Sequence, residues 1–112
     1  MKMIIAIIQP QQLPDIKEAL QNAGIEHMTC TNILGTVPNL HEEHKYRGAI
    51  QDISLFQKVR LEISVPDEKV GETIDALSLG ARESGGSGLA LVIELFDCVK
   101  LGTGTHGDSA LL

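Results

Sequence analysis

A chain of 112 residues and 12.1 kDa has room for one hydrophobic core, which points to a single domain. Hydrophobic residues at 43% and charged residues at 21% exclude the disordered, collagen-like and coiled-coil classes; an aromatic share of 3% leaves the core to Ile, Leu, Val and Ala and provides no stacking platform for single-stranded nucleic acid. Nine Lys and Arg against fifteen Asp and Glu give a net charge of -6 with no basic cluster, so a direct nucleic-acid partner is not expected.

Met3 to Ile8 is an unbroken apolar run closed by Pro10, the pattern of a strand buried on both faces and central in a sheet. The run is too short for a signal core or a membrane span, so no membrane insertion is expected. Leu13, Ile16, Leu20 and Ala23 then recur at helical spacing, with Pro14 and Asp15 suited to a first turn and Gly24 to the stop. His27 to Leu34 alternates Met28 and Cys30 against Thr29 and Thr31 and predicts a second strand. The alternation over Leu55 to Val65 is cleaner. Val59, Leu61, Ile63 and Val65 share a core face, and Lys58, Arg60, Glu62 and Ser64 share the other. Pro66 and Asp67 open a second helix with Val70, Ile74, Leu77 and Ala81 as its apolar stripe; Ser84 to Gly88 breaks it, and Leu89 to Leu95 supplies a fourth strand. The tail after Lys100, rich in Gly, Thr and Ser, is expected to be mobile.

The order β-α-β, insertion, β-α-β predicts an α+β, ferredoxin-like βαββαβ sandwich: an antiparallel sheet with two helices on one face, strands one and three in the centre. Cys30 and Cys98 fall on opposite edges, beyond the reach of an intrachain disulfide, and fit a reducing compartment. With helices on one side only, the face carrying Lys58, Arg60, Glu62 and Ser64 is left uncovered, and a second subunit is its expected cover.

Thr36 to Ser54 is a nineteen-residue connection between strands two and three, far beyond the roughly two to five residues of an ordinary hairpin loop. Such length marks function or disorder. Within it, His41-Glu42-Glu43-His44 sets two imidazoles beside two carboxylates. The order is not H-E-x-x-H and a loop fixes no i, i+4 geometry, so a solvated polar loop is favoured over a metal site. Ser84 to Gly88 matches neither a P-loop nor G-x-G-x-x-G, and a plain turn accounts for it better than an anion nest. No nucleophile, acid/base pair or Cys/His dyad can be assembled, so an enzyme is not expected. An acyl-phosphate hydrolase of this fold would need an arginine after strand one, where Gln9-Pro10-Gln11 stands.

Taken together, Ala6-Ile7-Ile8-Gln9-Pro10, Gly24, Met28-Thr29-Cys30-Thr31, Gly35, Tyr46-Arg47-Gly48-Ala49 and Lys58-Val59-Arg60-Leu61-Glu62-Ile63 running into Val65-Pro66-Asp67 resemble the PII signal-transduction proteins over nearly the whole chain. The resemblance implies a cytoplasmic homotrimer with a T-loop at about 36–54, a B-loop at about 82–89 and a C-loop at about 98–112. It implies adenine-nucleotide binding in clefts between protomers and a T-loop that docks on a membrane transporter or regulatory enzyme. By position, the nucleotide cleft takes in Thr29, Gly35, Thr36, Val37, Pro38, Ser64, Gly86, Ser87, Gly88, Leu89 and Lys100. Asn39 and Lys58 fall at effector positions, and Arg47 where some members insert an arginine into a channel mouth.

Departures from the family pattern accompany the match. The modified tyrosine of the T-loop is Gln51, the glutamine that helps hold Mg²⁺ and 2-oxoglutarate is Asn39, and a T-loop arginine near the phosphates is Pro38. The B-loop is one residue short, its phosphate-binding lysine is Leu89, and the paired C-loop arginines are Lys100 and Gly102. At roughly 1.5–3 kcal/mol per charge-assisted contact, three losses lower affinity on the order of 10³-fold or more. No cofactor is expected to be obligatory: ATP is disfavoured, and the pocket still has room for a less charged adenine ligand such as ADP, AMP or a cyclic dinucleotide. The second reading is a metal-responsive protein that uses His41 and His44 and is linked to metal transport.

Overall fold

The computed structural model describes residues 1–37, 44–46, 49–51 and 54–111, with backbone alone for 44–46 and 49–51. Strand β1 (Lys2–Ile8) leads through a 3-10 turn at Pro10–Gln12 into helix α1 (Leu13–Asn22), followed by β2 (Thr29–Gly35). Two short strands, β3 (His44–Tyr46) and β4 (Ala49–Gln51), pair within the long connection before β5 (Phe56–Val65). A turn at Asp67–Lys69 then starts helix α2 (Val70–Glu83), and β6 (Leu89–Glu94) completes the main sheet. Its order is β2-β5-β1-β6 and every pairing is antiparallel. The ferredoxin-like α+β architecture expected from the alternation is the one observed, with β1 and β5 central.

The register fixes which residues share a face. Ile4 lies opposite Ile63 and Val92, and Ala6 opposite Leu61 and Ala90, so these side chains stand on one side together with Ile8, Val59 and Val65. Ile16, Ala19 and Leu20 of α1 and Ala76 and Leu77 of α2 close over them, and the resulting core is almost entirely aliphatic. Each large side chain taken fully out of water there contributes roughly 1.5–3 kcal/mol. The expected stripe on α2 is shifted. Leu77 is buried, but Val70, Ile74 and Ala81 sit at its margin, and the buried places go to the small residues Thr73, Ala76 and Gly80.

Close approach of the two helices explains the shift. A Cβ on Gly80 would lie 2.5 Å from Ile16 Cα, a distance no neighbour can relieve because the obstacle is backbone. Thr73 is fully buried and satisfied, its Oγ1 donating to Lys69 O at 2.8 Å.

The tail expected to be mobile forms regular structure instead. β7 (Val99–Lys100) pairs with β8 (Thr105–His106), and a 3-10 turn follows at Gly107–Leu111. Glycine and threonine serve the hairpin tip: Gly104, at φ 71°, donates its N–H to Lys100 O at 2.8 Å. Both cysteines are free.

The amino terminus is tied to the start of α2. The Met1 ammonium donates to Asp67 Oδ1 at 2.7 Å, Lys2 Nζ lies 3.3 Å from the same oxygen, and Lys2 also pairs with Glu94. The hydrogen bond to Asp67 raises the amine above its ordinary 8.0 against the opposing effect of desolvation, and the same bond holds the Asp67 carboxyl below its ordinary 3.8. A raised amine stabilises the fold fully below pH 8.0 and loses that contribution as pH climbs through its folded value. The depressed carboxyl contributes above pH 3.8 and is lost as pH falls through its own folded value.

Two measurements check this account. Gly80→Ala should destabilise the protein by about 1–3 kcal/mol in denaturant unfolding, whereas Gly71→Ala, in α2 with open space around it, should stabilise by about 0.4–1 kcal/mol. The melting temperature should fall as pH is raised above 8, and Asp67→Asn should flatten that fall; a parallel decline in both proteins would remove the terminal ion pair from the explanation.

Candidate functional site

Lys58, Arg60, Glu62 and Ser64 alternate with the buried residues of β5 and therefore stand on the sheet face away from the helices. Glu62 is paired with Thr29, Arg60 with Thr31 and Ile7, and Lys58 with Ile33. Arg60 Nε approaches Glu62 Oε1 to 3.1 Å without hydrogen-bond alignment. Beside this polar band the same face continues into Met3, Ile5 and Ile7 of β1 and Leu89, Leu91 and Ile93 of β6. The three β6 residues are exposed, which is unusual for consecutive large aliphatics on one strand face.

Two clefts open at opposite ends of this face. The first, about 420 Å³, is lined by Ile7, Ile8, Gln9, Thr36, Val37, Lys58, Ser87, Gly88 and Leu89. The second, about 400 Å³, is lined by His27, Met28, Thr29, Glu62, Ser64, Lys100, Ala110 and Leu111. The nucleotide set expected from the resemblance is thus divided. Thr36, Val37, Ser87, Gly88 and Leu89 are brought together with Lys58, and Thr29, Ser64 and Lys100 meet at the far end. Thr29 and Gly35 begin and end the seven-residue β2, and its six residue steps put the two groups on the order of 20 Å apart. Gly35 and Gly86 line neither cleft. Gly35 packs on the Lys58 stem, where a Cβ would lie 3.2 Å from Cδ. The expectations for Pro38, Asn39, His41 and Arg47 lie outside the described residues, as does the side chain of His44. Among the described residues, no group of three or more His, Cys, Asp or Glu is placed to hold a metal ion.

The walls of the first cleft are built from the turn after α2. Gly86 N–H donates to Ala81 O at 2.7 Å and so terminates the helix instead of facing a ligand. Gly88, at φ 137°, brings the chain so near β1 that a Cβ would lie 3.4 Å from Ile7 O. Lys58 Nζ donates to Thr36 O, tying the first residue of the long connection to β5. Gln12 is fully buried and joins the two walls: its Oε1 accepts from Gln9 N at 2.8 Å and its Nε2 donates to Ser87 O at 2.6 Å. The sequence reading missed Gln12. The signal was present in the Gln9-x-x-Gln12 spacing ahead of a helix, a capping pattern with glutamine in both places.

The second cleft depends on the carboxy-terminal hairpin that carries Lys100. Asp97 Oδ1 accepts from Cys98 N and its Oδ2 lies 2.8 Å from His106 Nδ1, bracing the hairpin base together with the 2.9 Å bond from Gly107 N to Cys98 O. The His106 hydrogen bond, followed by that from the Cys98 backbone, holds the Asp97 carboxyl below its usual range.

The protein-family model described as nitrogen regulatory protein P-II matches residues 1–105. Nitrogen regulatory protein P-II 1 of Methanothermobacter thermautotrophicus is 37% identical over 99% of this chain and 97% of its own length. Nitrogen regulatory protein P-II of Rhodobacter capsulatus is 35% identical, and nitrogen regulatory protein GlnK of Escherichia coli K12 is 32% identical, each over 99% of this chain and its own full length.

Gln12→Leu keeps the volume but strands the Gln9 N–H and the Ser87 carbonyl. It should lower stability by about 1–3 kcal/mol and speed amide exchange at residues 84–88; unchanged exchange there would show that Gln12 does not hold the cleft wall.

Proposed function

The chain belongs to the nitrogen regulatory protein P-II family, whose members are non-enzymatic signal transducers, and on that footing we propose that it senses a small adenine-containing effector in clefts between copies of itself. Its response is carried by the connection at about 36–54, which regulates a membrane transporter or an enzyme from the cytoplasm. Among the described residues no helix is long and apolar enough to cross a membrane.

The observation that carries this reading is the division of the site. Each protomer holds one group of expected ligand residues at each end of an uncovered sheet face, about 20 Å apart along β2. A second copy can set its Thr29, Ser64 and Lys100 end against the Thr36, Ser87 and Leu89 end of the first. Repetition of that head-to-tail contact closes a ring. The exposed Leu89, Leu91 and Ile93 supply apolar surface for the contact, and a homotrimer is the closure proposed. The mechanism is a ligand-dependent change of order in the long connection, whose first residue is already fastened to Lys58 inside the first cleft. For the populations to invert, ligand contacts must favour one loop state by a few kcal/mol.

Complementation tests the shared site directly. Ser87→Glu should spoil the first cleft and Lys100→Glu the second, and each variant alone should lose adenylate affinity by about 10-fold or more in calorimetry. Co-assembled, the two variants should regain native affinity at a fraction of the junctions, where one unaltered half meets the other. Light scattering on the native protein should give three copies, and ligand should protect residues 36–54 from proteolysis. A monomer in solution, or mixed assemblies no better than the single variants, would overturn the shared cleft.

A further inference from the structure

We propose that the outer edge of β2 takes an extended segment of a protein partner, which joins the main sheet as a further strand and seats one aliphatic side chain in a groove beside Leu34. β2 is an end strand of the sheet, and among the described residues its seven-residue length pairs with β5 alone. The backbone N–H and C=O groups along its other side can be answered in full only by another extended backbone, since a helix spends its own backbone groups internally. Exposed edges are ordinarily blunted by charge, proline or a bulge. Thr29–Gly35 carries no charged residue and no proline. Its register with β5 advances one residue at a time, from Thr29 opposite Glu62 to Gly35 opposite Phe56, and so contains no bulge.

Beside this edge lies a groove of about 300 Å³, lined by Pro10, Asn32, Ile33, Leu34, Gln57 and Lys58. Leu34, 62% exposed, lies opposite Gln57, and Asn32 lies opposite the buried Val59, so these side chains stand on the helix side of the sheet. The face proposed for contact between copies is the other one. The groove therefore stays open in a closed ring, which favours a foreign segment over a second copy. Lys58 is the charged residue of the described lining, so an aliphatic residue with a carboxylate close by suits the groove. β2 ends at Gly35, directly before the connection at about 36–54. That the segment belongs to the protein this connection regulates rests on the proposed function; the docking edge itself does not.

Hydrogen exchange and calorimetry on the full chain test the edge with a synthetic probe, a capped eight-residue peptide that alternates valine and threonine with one glutamate in place of a threonine. The peptide should slow amide exchange at alternate positions of residues 29–35. Of the two versions N-methylated on alternate amides, the one altered on the edge that meets β2 should bind about 10-fold or more weaker than the other. Lysine in place of the glutamate should weaken binding by about 3-fold or more. Asn32→Lys and Leu34→Lys, both at exposed positions, should each weaken it by about 10-fold with the far-UV spectrum retained. No protection of residues 29–35, equal binding of the two N-methylated peptides, or undiminished binding to both lysine variants overturns the docking edge. Self-association of the native chain that Asn32→Lys abolishes would give the edge to a second copy and overturn it likewise. Adenylate binding and copy number are separate readouts: their failure beside intact peptide protection would strike the proposed function and leave the edge standing.

Discussion

The constraint on which the structure depends is the two-residue alternation along β5. Val59, Leu61, Ile63 and Val65 are held against two helices, and the residues between them are thereby forced onto a face with no helix to cover it. A slip of one residue in register would carry Lys58, Arg60 and Glu62 into an aliphatic core. The cost of burying those charges makes the pairing of β5 with β1 and β2 unambiguous. Both clefts are consequences of that choice, since each is floored by side chains that the alternation expels from the core.

Rigidity and freedom are distributed accordingly. The helix layer is closely packed where Gly80 meets the Ile16 backbone, leaving no room for a side chain between α1 and α2. The glycine turn is less packed, but Gln12 pins it from inside, linking Ser87 to the end of β1 through two hydrogen bonds of its fully buried side chain. At the other end, Asp97 and His106 brace a hairpin whose own packing is slight. The residues lining the two clefts are thus presented from supports of quite different stiffness: a strand, a pinned turn and a braced hairpin.

Much of this was legible in the sequence because the signals were periodic. The alternation from Val59 to Val65, the run from Met3 to Ile8 and the helical spacing of Ile16 and Leu20 each reported burial directly, and the element order then admitted few topologies. The carboxy-terminal segment was misread for a physical reason. Gly104 and Gly107 suggest looseness by composition, but their positive φ angles serve a hairpin tip and a turn, a distinction composition does not carry. The β3–β4 pairing within the connection was missed because three-residue strands leave no periodic trace. For the site, position along the chain named the residues, but their separation into two clefts emerged only once register placed Thr29 and Gly35 at opposite ends of one strand.

That separation has a consequence for communication. The backbone that ends in one cleft is the same backbone that begins in the other: β5 carries Lys58 at one extremity and Ser64 at the other, with β2 paired alongside from Phe56 to Glu62 and β1 from Val59 to Val65. In a closed ring, successive junctions would be joined by an uninterrupted stiff lath through every chain, with no flexible hinge between them. Occupancy at one junction is then mechanically adjacent to the next, and cooperativity among the sites would need no relay beyond the sheet itself.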